Sequence, residues 1–150
     1  MTISTYYGVL PQNVIVDNFG IGANVSQEIA LATVQRVRAI NVGDRADDSD
    51  RFTNKRSECY WRLREWLIKG GQLVKNVGWN QLFTIYYKRN LSGKIQIMSK
   101  EEMSKHGWSS PDNADALSLT FFGGETSTGQ PIKSVEELSQ HDLVKIAKIY

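Results

Sequence analysis

The sequence predicts an α/β domain, and three observations carry that prediction. A strand-helix-strand pattern occupies the first forty residues, a long amphipathic helix follows, and a β-hairpin then leads into short capped helices. The chain has 150 residues, 41% of them apolar, which is one-domain length with enough apolar side chains for one core. No apolar run approaches the roughly 20 residues that span a bilayer. The start, Met1-Thr2-Ile3-Ser4-Thr5-Tyr6-Tyr7, lacks the basic and long apolar regions of a secretory signal. A single cysteine, Cys59, excludes an internal disulfide and a cysteine-rich zinc module, and a reducing cytoplasm is the expected compartment.

Residues 13–17 (Asn-Val-Ile-Val-Asp) form a short β-branched run that suits a buried strand. Asn18-Phe19-Gly20-Ile21-Gly22 reads as a turn, and a helix is expected over 23–33, with Val25, Ile29 and Ala32 on one face. Residues 34–42 read as a second strand, so the two strands should pair in parallel. A polar, acidic loop spans 43–50. The strongest helix signal covers 51–69, where Phe52, Cys59, Tyr60, Leu63, Trp66 and Leu67 fall on one side. Glu58–Arg62 and Glu65–Lys69 are spaced as i,i+4 pairs on its other faces, and Gly70-Gly71 stops it.

Residues 82–88 and 94–98 are strand-like runs joined by a five-residue connection, which predicts a hairpin. Ser99-Lys100-Glu101-Glu102 has the pattern of a capping box opening a short helix that Gly107 ends. Ser109-Ser110-Pro111-Asp112 opens another, with Ala114, Leu117, Leu119 and Phe121 as its apolar content. Residues 123–131 look like a linker and 134–149 like a terminal amphipathic helix. The expected organisation is therefore a partial domain over 1–122 and a linker with a C-terminal helix over 123–150.

Charge is unevenly placed. Residues 1–50 and 111–150 each carry a net −3, whereas residues 51–110 hold 12 Lys/Arg and 4 Asp/Glu, a net of +8. A basic middle between acidic ends suits a site that holds carboxylates and receives a polyanion; it also suits an ordinary solvated helix and hairpin. Lys88, Arg89 and Lys94 cluster on the hairpin, where they could meet phosphates or serve only solubility. Three aspartates stand out by position. Asp17 closes a buried strand, the place where ligands bind in open α/β sheets. Asp112 and Asp115 share the first turn of a helix, and such oxygen-only donors suit magnesium or manganese. Turn and cap roles are the plainer reading of all three. Gly20-Ile21-Gly22 resembles the opening of a dinucleotide fingerprint, but Val25 occupies the place of the third glycine. His106 and His141 have no ligand or triad spacing, Cys59 reads as a core residue, and the four tryptophans read as packing contacts.

Taken in order, Val14-Ile15-Val16-Asp17-Asn18-Phe19-Gly20-Ile21-Gly22-Ala23, Arg51-Phe52-Thr53-Asn54-Lys55-Arg56, Tyr60-Trp61-Arg62-Leu63-Arg64-Glu65-Trp66-Leu67, Ser99-Lys100-Glu101-Glu102-Met103 and Ser110-Pro111-Asp112-Asn113-Ala114-Asp115-Ala116-Leu117 resemble the nuclease domain of the large terminase subunit of tailed phages and prophages. The resemblance covers about 13–122. It implies a ribonuclease-H-like fold, here incomplete, and a two-metal endonuclease that cuts concatemeric viral DNA during packaging in the bacterial host cytoplasm. In such a site one Mg²⁺ or Mn²⁺ readies the attacking water and the other steadies the leaving oxygen.

Carried over residue by residue, Asp17 and Asp112 match catalytic, metal-holding carboxylates, and Asp115 a possible accessory ligand. The hairpin cations would face double-stranded DNA. The family's ATPase domain has no counterpart in this sequence, and no GxxxxGK[ST] occurs. Residues 1–13 hold no Asp or Glu, so the family's first catalytic aspartate has no match. The metal site should then be incomplete and cleavage by the chain alone weak or absent. The expected partners are DNA, a part supplying the ATPase and first nuclease strands, the small terminase subunit and the portal. The alternative is a non-catalytic DNA- or partner-binding remnant that uses the basic 51–110 segment.

Overall fold

The computed structural model describes residues 9–10, 13–17 and 38–123. The expected turn at 18–22, the helix over 23–33, residues 34–37 of the second strand, His141 and the C-terminal helix lie outside the described residues. The chain divides into two compact units, Met1–Val42 with Ser139–Tyr150, and Gly43–Leu138.

In the first unit, β1 (Ile15–Asp17) and β2 (Arg38–Ile40) pair in parallel, with Ile15 opposite Arg38, Val16 opposite Ala39 and Asp17 opposite Ile40. The Arg38 amide donates to the Val14 carbonyl at 2.9 Å and extends the ladder. Parallel pairing is what a strand-helix-strand order requires, and it leaves Asp17 at the carboxyl end of β1.

The second unit begins with the polar loop and its main helix, α1 (Lys55–Ile68). Periodicity places the start of this helix at Arg51, but it begins four residues later. Asn54 caps it by accepting from the Ser57 amide. The preceding residues are extended instead: Ile95 N–H donates to the Arg51 carbonyl and Thr53 N–H to the Ile95 carbonyl. Phe52 therefore packs with Ala46 and Ile95 in a cluster of its own, covered by Trp61. Gly70, at φ +96°, ends the helix in the left-handed region where a side chain would be strained.

The predicted i,i+4 pairs fare differently. Glu58 does pair with Arg62 at 2.7 Å, but on a buried face, for Glu58 is 1% exposed. It also accepts from the Asp47 and Asp48 amides and faces Lys55. A buried carboxylate is tolerable only with this many donors, and they tie the acidic loop to α1. Glu65 turns to Arg51, at 2.7 Å, and to the Trp61 indole N–H.

The first predicted strand of the hairpin is mostly displaced. Val77–Thr84 is a 3-10 helix, capped by Asn76 accepting from the Gly78 amide at 2.6 Å. Leu82 and Ile85, three apart, both pack on the core, a spacing that 3-10 geometry serves. The hairpin itself forms between β3 (Tyr87–Arg89) and β4 (Ile95–Ile97), antiparallel, with Lys88 opposite Gln96. Helix α2 (Lys100–Lys105) opens with both bonds of the Ser99/Glu102 capping box. Helix α3 (Asp112–Leu119) follows Pro111.

Tyr60, Leu63, Ile97, Ala114 and Phe121 form the core, with Trp66, Leu67, Leu82, Ile85 and Leu117 packed against it. Cys59 is buried beside it, and burial pushes its thiol up to about 11. Among the described residues no helix is long and apolar enough to cross a membrane. Leu63 of α1 shares the core cluster with Ile97 of β4 and Ala114 of α3 and is 2% exposed. Leu63→Ala should cost about 2–5 kcal/mol by transfer and cavity terms, read as a lowered urea midpoint with unchanged slope. A loss below about 0.5 kcal/mol, the size of an ordinary surface substitution, would show that the core lies elsewhere.

Candidate metal centre

Helix α3 has eight residues and two acidic groups in its first turn, Asp112 and Asp115. Residues three apart share a helix face, with Cβ atoms about 5–6 Å apart. Acidic groups there also oppose the positive end of the helix dipole. Pro111 supplies no capping side chain. The cap comes from the 3-10 helix, where Gln81 Oε1 accepts from the Asn113 and Ala114 amides at 2.8 and 3.2 Å. Gly78 allows this approach, because a Cβ there would lie 2.5 Å from the Asn113 side-chain nitrogen. Ala114, fully buried, anchors the same turn in the core.

The two carboxylates have different surroundings. Asp112 is exposed, and its Oδ1 accepts from the Ser110 hydroxyl at 2.6 Å. Asp115, with 22% of its side chain exposed, is surrounded by donors. Its Oδ1 accepts from Arg56 Nη2 at 3.1 Å and from the Tyr60 hydroxyl at 2.6 Å. Its Oδ2 meets Lys100 Nζ at 3.0 Å. Arg56 and Tyr60 are one turn apart on α1, with the guanidinium 5.0 Å above the phenol ring. Arg56 also donates to the Met98 carbonyl at 2.8 Å, just past β4.

Burial works against ionisation of Asp115. The Arg56 charge, the Tyr60 hydroxyl and Lys100 outweigh it and hold the carboxyl below its usual range. Tyr60 shows the converse: burial, then the charge and hydrogen bond of Asp115, raise its phenol well above the ordinary value. The result is an ionised carboxylate fixed on its Oδ1 side by a buried tyrosine and a half-buried arginine. On its Oδ2 side it faces an ammonium whose side chain is 55% exposed.

Asp17 ends β1, half-buried, in the first unit. Among the described residues no group of three or more His, Cys, Asp or Glu converges as a metal cage. The donors at the start of α3 are nonetheless hard carboxylate oxygens, the type that Mg²⁺ and Mn²⁺ prefer. The hairpin cations each have protein partners. Lys88 pairs with Glu102, Arg89 donates to the Gly93 carbonyl at 2.8 Å, and Lys94 donates to the Ser49 carbonyl at 2.6 Å. Lys88 and Arg89 are consecutive strand residues and so point to opposite faces. His106 is exposed, stacked on Trp108. Nothing in the sequence singles out Arg56, Tyr60, Lys100 and Gln81 as site residues. Their partners lie 15 to 59 residues away, beyond the reach of helical or strand periodicity.

The Asp115 cluster has a definite pH signature. A carboxyl whose pKa is depressed by folding stabilises the fold above its unfolded value of about 4 and loses that contribution as pH falls through the folded value. Asp115→Asn should therefore lower stability by about 1–3 kcal/mol at pH 7. The gap from the parent chain should shrink below about pH 4. Chemical denaturation at about pH 7 and about pH 3 measures this; an equal gap at both would show that the ion cluster contributes nothing.

No family model matches the chain, and no curated protein sequence matches it. Solved structures do resemble it. The nuclease domain of the large terminase subunit gp2 of bacterial virus Sf6 is 22% identical, over 71% of this chain and 63% of that one, with a TM-score of 0.58. Mutant forms of that domain, one solved with manganese and one with calcium, match with the same identity, coverage and TM-score. The chain thus spans 63% of the length of these domains. It carries an α/β, ribonuclease-H-like fold, that of part of a phage large-terminase nuclease domain.

Proposed function

We propose that this chain is part of a DNA-packaging terminase nuclease, whose activity is metal-dependent endonucleolytic cleavage of concatemeric phage DNA. The observation that carries the reading is a pair of carboxylates on the first turn of α3, one exposed and one held ionised, in a chain with a terminase nuclease fold. Asp112 is a proposed ligand of Mg²⁺ or Mn²⁺, and Asp17, in the first unit, is proposed separately as a metal-holding carboxylate. Asp115 is the accessory one through Oδ2, where a divalent cation would take the place of exposed Lys100. Bound there, the metal would supply an activated water and charge stabilisation for the leaving oxygen. Arg56 and Tyr60 keep Asp115 ionised and aimed, and Gln81 fixes the backbone from which both carboxylates project. Manganese and calcium in the neighbouring structures support a hard-cation site.

Among the described residues no group of three or more candidate ligands converges, so cleavage by residues 1–150 alone should be weak. Titrating the purified chain with Mn²⁺ and following the free-ion EPR signal tests the ligand assignment. Asp17→Asn and Asp112→Asn should each weaken Mn²⁺ binding at least tenfold, and residual nicking of supercoiled plasmid in Mn²⁺ should vanish in both. Mn²⁺ affinity unchanged in both variants would overturn the assignment.

Lys88, Arg89 and Lys94 are the proposed DNA-contacting cations, Lys88 and Arg89 from opposite faces of β3. For each phosphate they neutralise, the slope of log affinity against log salt should steepen by about 0.9. Reversing all three charges should flatten that dependence and weaken binding to any duplex sequence. An unchanged slope in a filter-binding titration would place the DNA elsewhere.

A further inference from the structure

We propose that Tyr86, Trp108 and His106 form a stacking site for an unpaired nucleobase of single-stranded DNA. The inference rests on the reading that the chain meets DNA and adds the form of DNA that this surface takes. Trp108 stacks against both neighbours. The ring centroids are 5.4 Å apart and the planes 20° apart with Tyr86, and 5.0 Å and 24° with His106. The near-parallel geometry is that of offset stacks rather than edge packing. Backbone bonds from separate elements hold the rings: the Tyr86 carbonyl accepts from the Met98 amide at 2.9 Å, and the Trp108 amide donates to the Met103 carbonyl at 3.1 Å. Yet the rings are not sealed in the core. Tyr86 is 52% exposed, His106 is exposed and Trp108 is half-buried.

Charge around the stack favours a nucleic acid over an apolar protein segment. Lys88 on β3 lies two residues after Tyr86, which directly precedes that strand, and pairs with Glu102. Lys105 stands on α2 three residues after Glu102, hence on the same helix face. The charge of Lys105 also acts on that carboxylate, within a segment whose net charge is +8. Flat aromatic faces beside lysines bind single strands with little sequence preference, because every base offers a π-face and the phosphates supply the charge. Duplex bases are already stacked on one another and cannot use such a face. The natural occupant is therefore an unpaired base, as at a nick or a frayed end.

Fluorescence anisotropy with a labelled oligothymidylate, an abasic oligonucleotide of the same length and a duplex tests the proposal. The Tyr86→Leu/His106→Leu double variant, which keeps apolar bulk and removes the exposed rings, should bind oligothymidylate about 5- to 100-fold more weakly. Its duplex affinity and salt slope should be unchanged. The parent chain should bind the abasic strand as weakly as the double variant binds oligothymidylate. Trp108→Leu should show the same selective loss, with thermal melts confirming that each variant folds. Equal binding of oligothymidylate by parent and double variant, or equal binding of thymidylate and abasic strands, overturns the stacking site. Duplex binding retained in that case leaves the DNA reading standing. Failure to bind either single strand or duplex removes both.

Discussion

The ionised carboxylate of Asp115 is the tie on which the second unit depends. It receives Arg56 and Tyr60 from α1 and Lys100 from α2, and Arg56 reaches on to the backbone beyond β4. One side chain thus links three helices and the end of the hairpin across 15 to 59 residues of sequence. A lone carboxylate of this burial would be costly, and its donors offset the desolvation. The geometry also has a directional consequence. Oδ1 is committed to the fold, whereas Oδ2 faces a single exposed lysine. Glu58 repeats the principle nearby without any open side: it is buried, with Arg62, Lys55 and two loop amides around it.

Local chemistry in the sequence is a good guide wherever the interacting residues are close along the chain. The parallel β1–β2 pair agrees with the strand-helix-strand order expected from the sequence, the α2 start follows from Ser99 and Glu102, the hairpin from two apolar runs about a turn, and the buried thiol from the position of Cys59. The errors share a cause. Phe52 has helical spacing with Cys59, yet hydrogen bonds to distant Ile95 hold its neighbours extended and delay α1 to Lys55. Leu82-Phe83-Thr84 looks like strand by residue type, but the Asn76 cap and the core-facing Leu82 and Ile85 fit a 3-10 helix. Glu58 is spaced as a surface partner of Arg62, and only the fold of the 43–50 loop over it makes the pair a buried one.

The candidate site is legible in the same uneven way. Asp112 and Asp115 can be read from the Ser-Pro-Asp helix start, because the residues that place them together are adjacent. What holds them cannot: Gln81 caps α3 from 32 residues away, and Arg56 and Tyr60 come from the first helix of the unit. Two carboxylates of like charge on one helical turn repel each other. The structure answers that repulsion for Asp115 with a guanidinium and an ammonium, and leaves Asp112 exposed with a hydroxyl. A divalent cation is the counter-charge that suits such a face, and the terminase nuclease fold is one that neighbouring structures show with manganese or calcium.

The proposal that the start of α3 holds the metal is tested most directly by iron-mediated cleavage. Fe²⁺ substituted for Mg²⁺, with ascorbate and peroxide, cuts the backbone where the metal sits, and mass spectrometry of the fragments locates the cuts. Cleavage around residues 110–116, suppressed by excess Mg²⁺ and lost in Asp112→Asn, is the predicted result. Cuts confined to other segments, or an identical pattern in Asp112→Asn, would contradict it.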